Sequence, residues 1–355
     1  MARTLARAAD EKVQWVRSLP FILAHLMPLA AIWTGVRPRD FVICTVLLFG
    51  RMFFITAGYH RYFAHRSYKL GRVMQFIMAF GAMTSSQKGV LWWSGYHRHH
   101  HRYSDLQEDI HSPKKGFWWS HMGWIMCSKY HKPDHSLIPD FAKYPELRFL
   151  DRFWALPPLI LAVSVLLLWG WSALWIGFFL STVLLWHSTF FINSLAHVFG
   201  RRRYVTTDTS RNSLLLALLT MGEGWHNNHH HYQASVNQGF FWWEIDVTYY
   251  ILKGLEFLGL AHDLRKPPAA ALKRNLIRDG HLDIGMLKDL PAKALDAITQ
   301  TAQHTKERIV EATQQVAGSI ATTAQQTKDR LVEATQEAAE SLAGAGRPGI
   351  DSVAR

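Results

Sequence analysis

Apolar residues are unevenly spread along this chain. From Phe153 to Gly200 there are 48 residues without one Asp, Glu, Lys or Arg. Coiled as helix at about 1.5 Å per residue, that stretch is about 72 Å long. A bilayer core of about 30 Å needs about 20 residues, so the stretch predicts two spans, near 153–169 and 173–195. The turn between them falls at Trp169-Gly170-Trp171-Ser172, where the indoles suit a membrane interface. A second apolar region runs from Leu19 to Tyr59 and breaks at Arg37-Pro38-Arg39-Asp40. It predicts spans near 19–36 and 41–59. Arg51 lies inside the latter. A charge at mid-bilayer is costly, so this helix is expected to run past the membrane, with Arg51 near its exit or facing protein. The apolar block Val73–Gln87 has only 15 residues and predicts an interfacial or protein-covered helix.

Four spans put both termini on one side, together with the long segments 60–152 and 201–355. Net charge is +12, and Lys and Arg concentrate in those segments. The positive-inside tendency places them in the cytoplasm. A basic face suits anionic lipid head groups and phosphate-bearing substrates. No nucleic-acid module is recognisable, and no nucleic-acid partner is expected. Residues 1–18 read as a charged cytoplasmic segment without a signal-peptide cleavage site. The membrane domain is expected over 19–268, closed by Pro267-Pro268, with a linker at 269–300 and a disordered end at 346–355. Between these, a 22-residue repeat fills 301–345. Fourteen residues from Ala302 recur from Ala324 with ten identities. Two elevens make the repeat, a period close to that of a straight helix, so this tail reads as an amphipathic helix. The expected fold is therefore an all-α membrane protein: four transmembrane helices, a cytoplasmic helical cap and a helical C-terminal tail.

Composition adds the chemistry. Two Cys cannot make a disulfide framework, a Cys-ligated iron–sulfur cluster or a zinc knuckle. The chain does have 20 His, and His is the commonest metal ligand. They gather in four places: His60-Arg-Tyr-Phe-Ala-His65 after the second span, His97-Arg-His-His100-His101, Asn193-Ser-Leu-Ala-His197 at the end of the last span, and His226-Asn-Asn-His229-His230-His231. On a helix, positions i, i+3 and i+4 share one face, so His97, His100 and His101 point together, as do His226, His229 and His230. Some eight imidazoles from four segments exceed the four ligands of one tetrahedral zinc. They suit two first-row metals; imidazole binds iron, copper, nickel or zinc. Asn193, one turn before His197, is placed to hold a metal-bound water or orient a ligand. Spacing alone does not exclude His99 or His231. The nine other His have ordinary readings as interfacial or surface residues.

These four motifs, with Gly58-Tyr-His60, Ser104 after the second box, and Gly222-Glu-Gly-Trp-His226, resemble the membrane fatty acid desaturases over about residues 19–265. The likeness is greatest to the acyl-CoA Δ9 (stearoyl-CoA-like) branch and its bacterial relatives. The resemblance implies nine iron-binding His, at His60, His65, His97, His100, His101, His197, His226, His229 and His230. It leaves His99 and His231 as adjacent spares and gives Asn193 a metal-bound water. It also implies a bent acyl tunnel with Gln87, Trp93, Thr189 and Phe190 near its kink, where the family more often has Trp at the last position. Lys129 matches a basic position that meets the acyl carrier. Two departures leave the carrier open between a CoA thioester and a lipid-bound chain. Gly95-Tyr96 stand where animal enzymes have Arg-Asp, and Ser128 replaces an Arg beside Lys129.

Desaturation takes two hydrogens from unactivated methylenes, which no side chain does unaided. The implied cofactors are two iron ions (Fe2+/Fe3+), with O2 as co-substrate. The expected activity is O2-dependent desaturation of a saturated fatty acyl chain, with a cis double bond at Δ9. The chain has no recognisable electron-transfer segment, so a separate ferredoxin, rubredoxin or cytochrome b5-type donor with its reductase is expected. The expected setting is the bacterial inner membrane, in contact with its lipids. Two alternatives share these residues: a membrane di-iron hydroxylase, and a non-enzymatic metal-binding membrane protein.

Overall fold

The computed structural model describes residues 5–277, and helical backbone at Gln314, Gly318, Gln325, Gln326, Lys328, Arg330 and Gln336. The chain divides into two units, Met1–Met286 and Leu287–Arg355. Those seven helical positions are what is described of the second. The remainder of the expected linker, repeat tail and end lies outside the described residues. The architecture below is that of the first unit.

Its first apolar helix, α1 (Leu19–Thr34), is shorter than a full span. Pro20 sits in its first turn, whereas Pro28 interrupts its hydrogen bonding, and it tightens to 3₁₀ turns at Met27–Ala30. The second, α2 (Pro38–Ala64), has 27 residues and is long and apolar enough to cross a membrane. It begins three residues before the expected start at 41. Proline suits the first helical turn, and Asp40 accepts a hydrogen bond from the Arg37 backbone N–H at 2.8 Å, so the apparent break is a helix start. Arg51 is buried within α2 and faces protein. Its guanidinium donates to Thr182 Oγ1 at 2.7 Å and to Ser181 Oγ at 2.5 Å.

The expected third span, 153–169, corresponds to α7 (Leu156–Trp169), which forms a bent pair with the preceding charged helix α6 (Pro145–Arg152), meeting it at 65°. The fourth is α8 (Ala173–Val198), again long and apolar enough to cross. Gly170, at φ +85°, makes the turn before it. The described residues therefore hold two membrane-length helices, or three if the bent pair is one span. Close approach of α2 to α8 depends on Gly177, where a Cβ would stand 2.7 Å from Ile43.

Between α2 and α6 run α3 (Arg72–Met83), α4 (Val90–Tyr103) and the short α5 (Phe117–His121). After α8 come α9 (Leu214–Leu219), α10 (His226–His231) and α11 (Val247–Phe257). Two short strands, Lys69–Leu70 and Ala261–His262, pair antiparallel and tie the end of α2 to the end of α11. The main apolar core packs Met52, Tyr59 and Phe63 of α2 against Met78, Ala79 and Ala82 of α3 and Leu91 of α4.

The N-terminal segment crosses the loop that follows α4. Val13 bridges to Cys127, and the Gln14 N–H donates to Met126 O at 2.9 Å. Glu11 is buried on Lys115 at 2.8 Å and accepts from the Tyr130 hydroxyl at 2.5 Å. At the other end, described structure continues past the expected boundary at 268. A helical turn, Ala269–Lys273, is followed by residues 275–277 hydrogen-bonded to 203–205.

Candidate metal centre and acyl cavity

The His60-to-His65 spacing is unusual for a helix. Residues five apart diverge by about 140° on an α-helix. Here α2 widens into π-type turns over Phe54–Ala64, and the His65 N–H donates to the His60 carbonyl at 3.1 Å. That five-residue bond closes the angle, and the two ring centroids lie 4.8 Å apart. Such widened turns concentrate at functional sites.

On α4, His97 and His101 face this pair, while His100 turns to the other side. Asp151 holds the start of α4 by accepting from the Leu91 and Trp92 N–H groups at 2.8 and 3.1 Å. The last box sits on α10, anchored by its two asparagines and by Asn212. Asn212 Oδ1 accepts from the N–H groups of Asn227 and Asn228, and Asn227 Oδ1 accepts from those of Arg203 and Tyr204.

The nine predicted His thus form two groups. His60, His65, His97, His101 and His229 make one, and His100, His197, His226 and His230 the other. Within each, one ring nitrogen per residue lies within 4.8 Å of all the rest. Nε2 atoms approach to 3.0 Å between His60 and His229, His65 and His97, His97 and His101, and His101 and His229. In the second group His197 and His226 approach to 3.1 Å. His99 and His231 stand apart. His99 bonds Glu108 O, while His231 bonds Ala271 O and stacks on Tyr204.

Buried carboxylates set the protons. Glu223 lies 2.5 Å from His60 Nδ1, Asp109 3.0 Å from His100 Nδ1, and Asp208 2.8 Å from His230 Nδ1. Asp105 stands 3.5 Å from His197 Nδ1. An ionised carboxylate only accepts, so the proton sits on Nδ1 and the bare Nε2 faces the group centre. His230 Nε2 is buried with no partner among the described residues. Burial, and then the neighbouring imidazoles, hold His65, His97, His101, His226 and His229 well below the usual imidazole range. These rings stay neutral, as metal ligands must. Burial also presses on His100, but the Asp109 carboxylate outweighs it and raises that pKa. Nitrogens bound at about 2.1 Å to one cation, at tetrahedral to octahedral angles, lie about 3.0–3.4 Å apart. The donor set therefore fits two metal ions.

Sequence reasoning missed all four carboxylates. Glu223 lies inside the Gly222-to-His226 motif, and Asp105 and Asp109 follow His101 by four and eight residues. Asp208 has no comparable spacing signal. His111 was missed too; buried against His100 at a centroid distance of 4.2 Å, it joins His100 and Asp109 in a third small group.

A cavity of about 460 Å³ opens beside His97, within the size range of ligand pockets. Gln87, Trp93, Thr189, Phe190 and Asn193 all line it. Trp93 Nε1 donates to Gln87 Oε1 at 3.1 Å, and Gln87 Nε2 donates to Thr189 Oγ1 at 3.0 Å. Ser86 and Lys88, on either side of Gln87, have φ of +59° and +67°. The loop spends backbone strain to aim that amide. Lys129 is not among the lining residues; its ammonium is paired with Asp10 at 2.9 Å.

Two imidazole groups that could each hold a metal ion, beside a largely apolar cavity and in a chain with membrane-length helices, are the features to be explained. Comparison with known proteins narrows the reading. A family model described as fatty acid desaturase matches residues 40–255. The chain is 35% identical over 272 residues to an sn-1 stearoyl-lipid 9-desaturase of Anabaena variabilis, covering 74% of this chain and 97% of that relative. It is 40% identical over 222 residues to the sn-1 stearoyl-lipid 9-desaturase of a Synechocystis species, covering 61% and 69%. It is also 34% identical over 269 residues to an acyl-CoA 5-desaturase of Anemone leveillei, covering 72% and 84%. The chain belongs to the fatty acid desaturase family. It is an oxidoreductase that desaturates fatty acyl chains.

Proposed function

We propose that the two imidazole groups hold two iron ions, and that the chain uses O2 to place a cis Δ9 double bond in a saturated acyl chain lying in the cavity. The convergence of five and of four ring nitrogens, within 4.8 Å of one another in each group, beside an apolar cavity of about 460 Å³ carries this reading. When bound, an iron pair supplies the oxidising power for an unactivated C–H bond, which side chains lack.

The chain's own residues do the rest. His60, His65, His97, His101 and His229 bind one ion; His100, His197, His226 and His230 bind the other. Asn193 holds a water for the four-imidazole group. Glu223, Asp109, Asp208 and Asp105 keep the Nδ1 protons in place. The Trp93–Gln87–Thr189 chain fixes the bend of the cavity, and Phe190 packs its wall, so that one pair of carbons is held at the site. The aromatic lining excludes water.

The 9-desaturase names of the two cyanobacterial relatives support the Δ9 position. Electrons come from a separate ferredoxin, rubredoxin or cytochrome b5-type protein. We place the chain in the bacterial inner membrane with four spans, counting α1 and the bent pair, with a helical cap, the metal site and both termini cytoplasmic. We extend the expected membrane domain, 19–268, to residue 277, because residues 275–277 hydrogen-bond to 203–205; the segment 1–18 precedes it, and a linker and the repeat tail follow.

The test is gas chromatography–mass spectrometry of fatty acids from an expressing host that lacks the product. A new Δ9 monounsaturated acid is expected. An alcohol in its place indicates a hydroxylase. An unchanged profile, with iron-loaded protein and a working donor, overturns the reading.

A further inference from the structure

The cavity has a cationic end that the proposed chemistry does not use. Lys88, His131 and Arg17 all line it. Lys88 Nζ donates to the His131 carbonyl at 3.2 Å and lies 4.6 Å from the centre of the Trp92 ring. Among the described residues, neither Lys88 nor Arg17 has a carboxylate partner. The carboxylate acting on Lys88 from α6 is Asp151, whose Oδ1 is committed to the Leu91 and Trp92 N–H groups. Burial lowers the Lys88 ammonium to about 8. Burial also lowers His131, and the charges of Lys88 and Arg17 act on it in the same direction, so the three share one neighbourhood. An unpaired ammonium in an apolar cavity is expensive unless an anion joins it.

Two other lysines of this region are held in ion pairs. Lys129 is paired with Asp10, and Lys115 with Glu11. Those pairs hold down the N-terminal segment, and the same segment brings Arg17 to the cavity. Lys129 is therefore a positioning residue for the segment, and the free cations lie elsewhere.

We propose that Lys88, Arg17 and His131 form a phosphate-binding site that seats the head group of the acyl carrier while its chain fills the cavity. This inference rests on the desaturase reading for the chain, but not for the phosphate. Two carriers share the chemistry: a glycerophospholipid and a CoA thioester. A neutral galactolipid lacks the phosphate and gains nothing from the site.

The experiment uses the full-length, iron-loaded protein. Native mass spectrometry counts retained phosphatidylglycerol and monogalactosyldiacylglycerol, with no turnover needed. Lys88→Met and Arg17→Gln should each weaken phosphatidylglycerol retention by about tenfold to a hundredfold, the range expected for one charge-assisted hydrogen bond. Galactolipid retention should not move. Arg17 is an exposed side chain, so its variant still tests the site if Lys88→Met misfolds. Kinetics then separate the carriers: KM should rise in both variants for stearoyl-phosphatidylglycerol or for stearoyl-CoA, whichever the enzyme accepts, with kcat nearly unchanged. Equal loss of both lipids, or unchanged phosphatidylglycerol binding, overturns the site. Normal phosphate-dependent binding without any double bond in any carrier would instead count against the desaturase reading alone.

Discussion

At the scale of residues, each imidazole is judged by what it faces. His229 Nε2 approaches both His60 and His101 at 3.0 Å, whereas His231 turns away onto Ala271 O. His229→Ala or His100→Ala should each abolish turnover and lower iron content, measured by mass spectrometry of metals. His99→Ala and His231→Ala should retain most of both. Asp208→Asn tests the carboxylates differently. It removes the group that keeps the proton on His230 Nδ1, and such losses cost about 10–100-fold in metal affinity or activity. Iron content titrated against a chelator should shift by that amount; an unchanged titration would remove Asp208 from the site. The His sets were legible because three-and-four spacing is a property of one helix. The carboxylates were not, because Asp208 and His230 are 22 residues apart in sequence and meet only in the fold.

At the scale of elements, pattern and structure part company where local geometry departs from the α-helix. The apolar runs located α2 and α8 well. They did not show the π-type turns that bring His65 round to His60, since apolar content over Phe54–Ala64 is indifferent to how the backbone winds. They also treated Pro38 as a break, where Asp40 makes it a beginning. The charge-free run marked α7 but not α6, whose Glu146, Arg148, Asp151 and Arg152 lie before it, so the 65° bend between the two fell at the edge of the pattern. Orientation of α4 matters most, because it divides its His between both groups. Asp151 fixes its first turn, so Asp151→Ala should cost about 1–2 kcal/mol of cap energy. That lowers the melting temperature by about 2–4 °C per kcal/mol in a chain of this size, with a matching drop in iron retention. Asp151→Asn keeps an acceptor and should lose less. Equal effects in both variants would point to the charge instead of the cap.

At the scale of the whole molecule, the tail and the enzyme separate. The Anabaena relative is 97% covered while matching 74% of this chain, so the shared activity needs far less than 355 residues. The boundary that matters is set by contacts. Tyr204 stacks on His231 at a centroid distance of 4.0 Å, and its hydroxyl donates to Leu272 O. His231 bonds Ala271 O, and the Ile277 N–H donates to Arg203 O at 2.7 Å. Residues 269–277 thus back the loop that runs from His197 to the last His box. A chain ending at 277 should keep its activity in lipid nanodiscs, whereas one ending at 268 should lose stability and iron together. The comparison is made on purified protein by iron content and melting temperature. If both truncations behave alike, this terminal turn does not support the centre. If the longer one fails as well, the repeat region contributes to the enzyme itself. Hydrophobic pattern placed the end of the enzyme at Pro267-Pro268 because apolar density falls there; hydrogen bonding moves it nine residues on, since a buried backbone needs partners whatever the composition of the segment that supplies them.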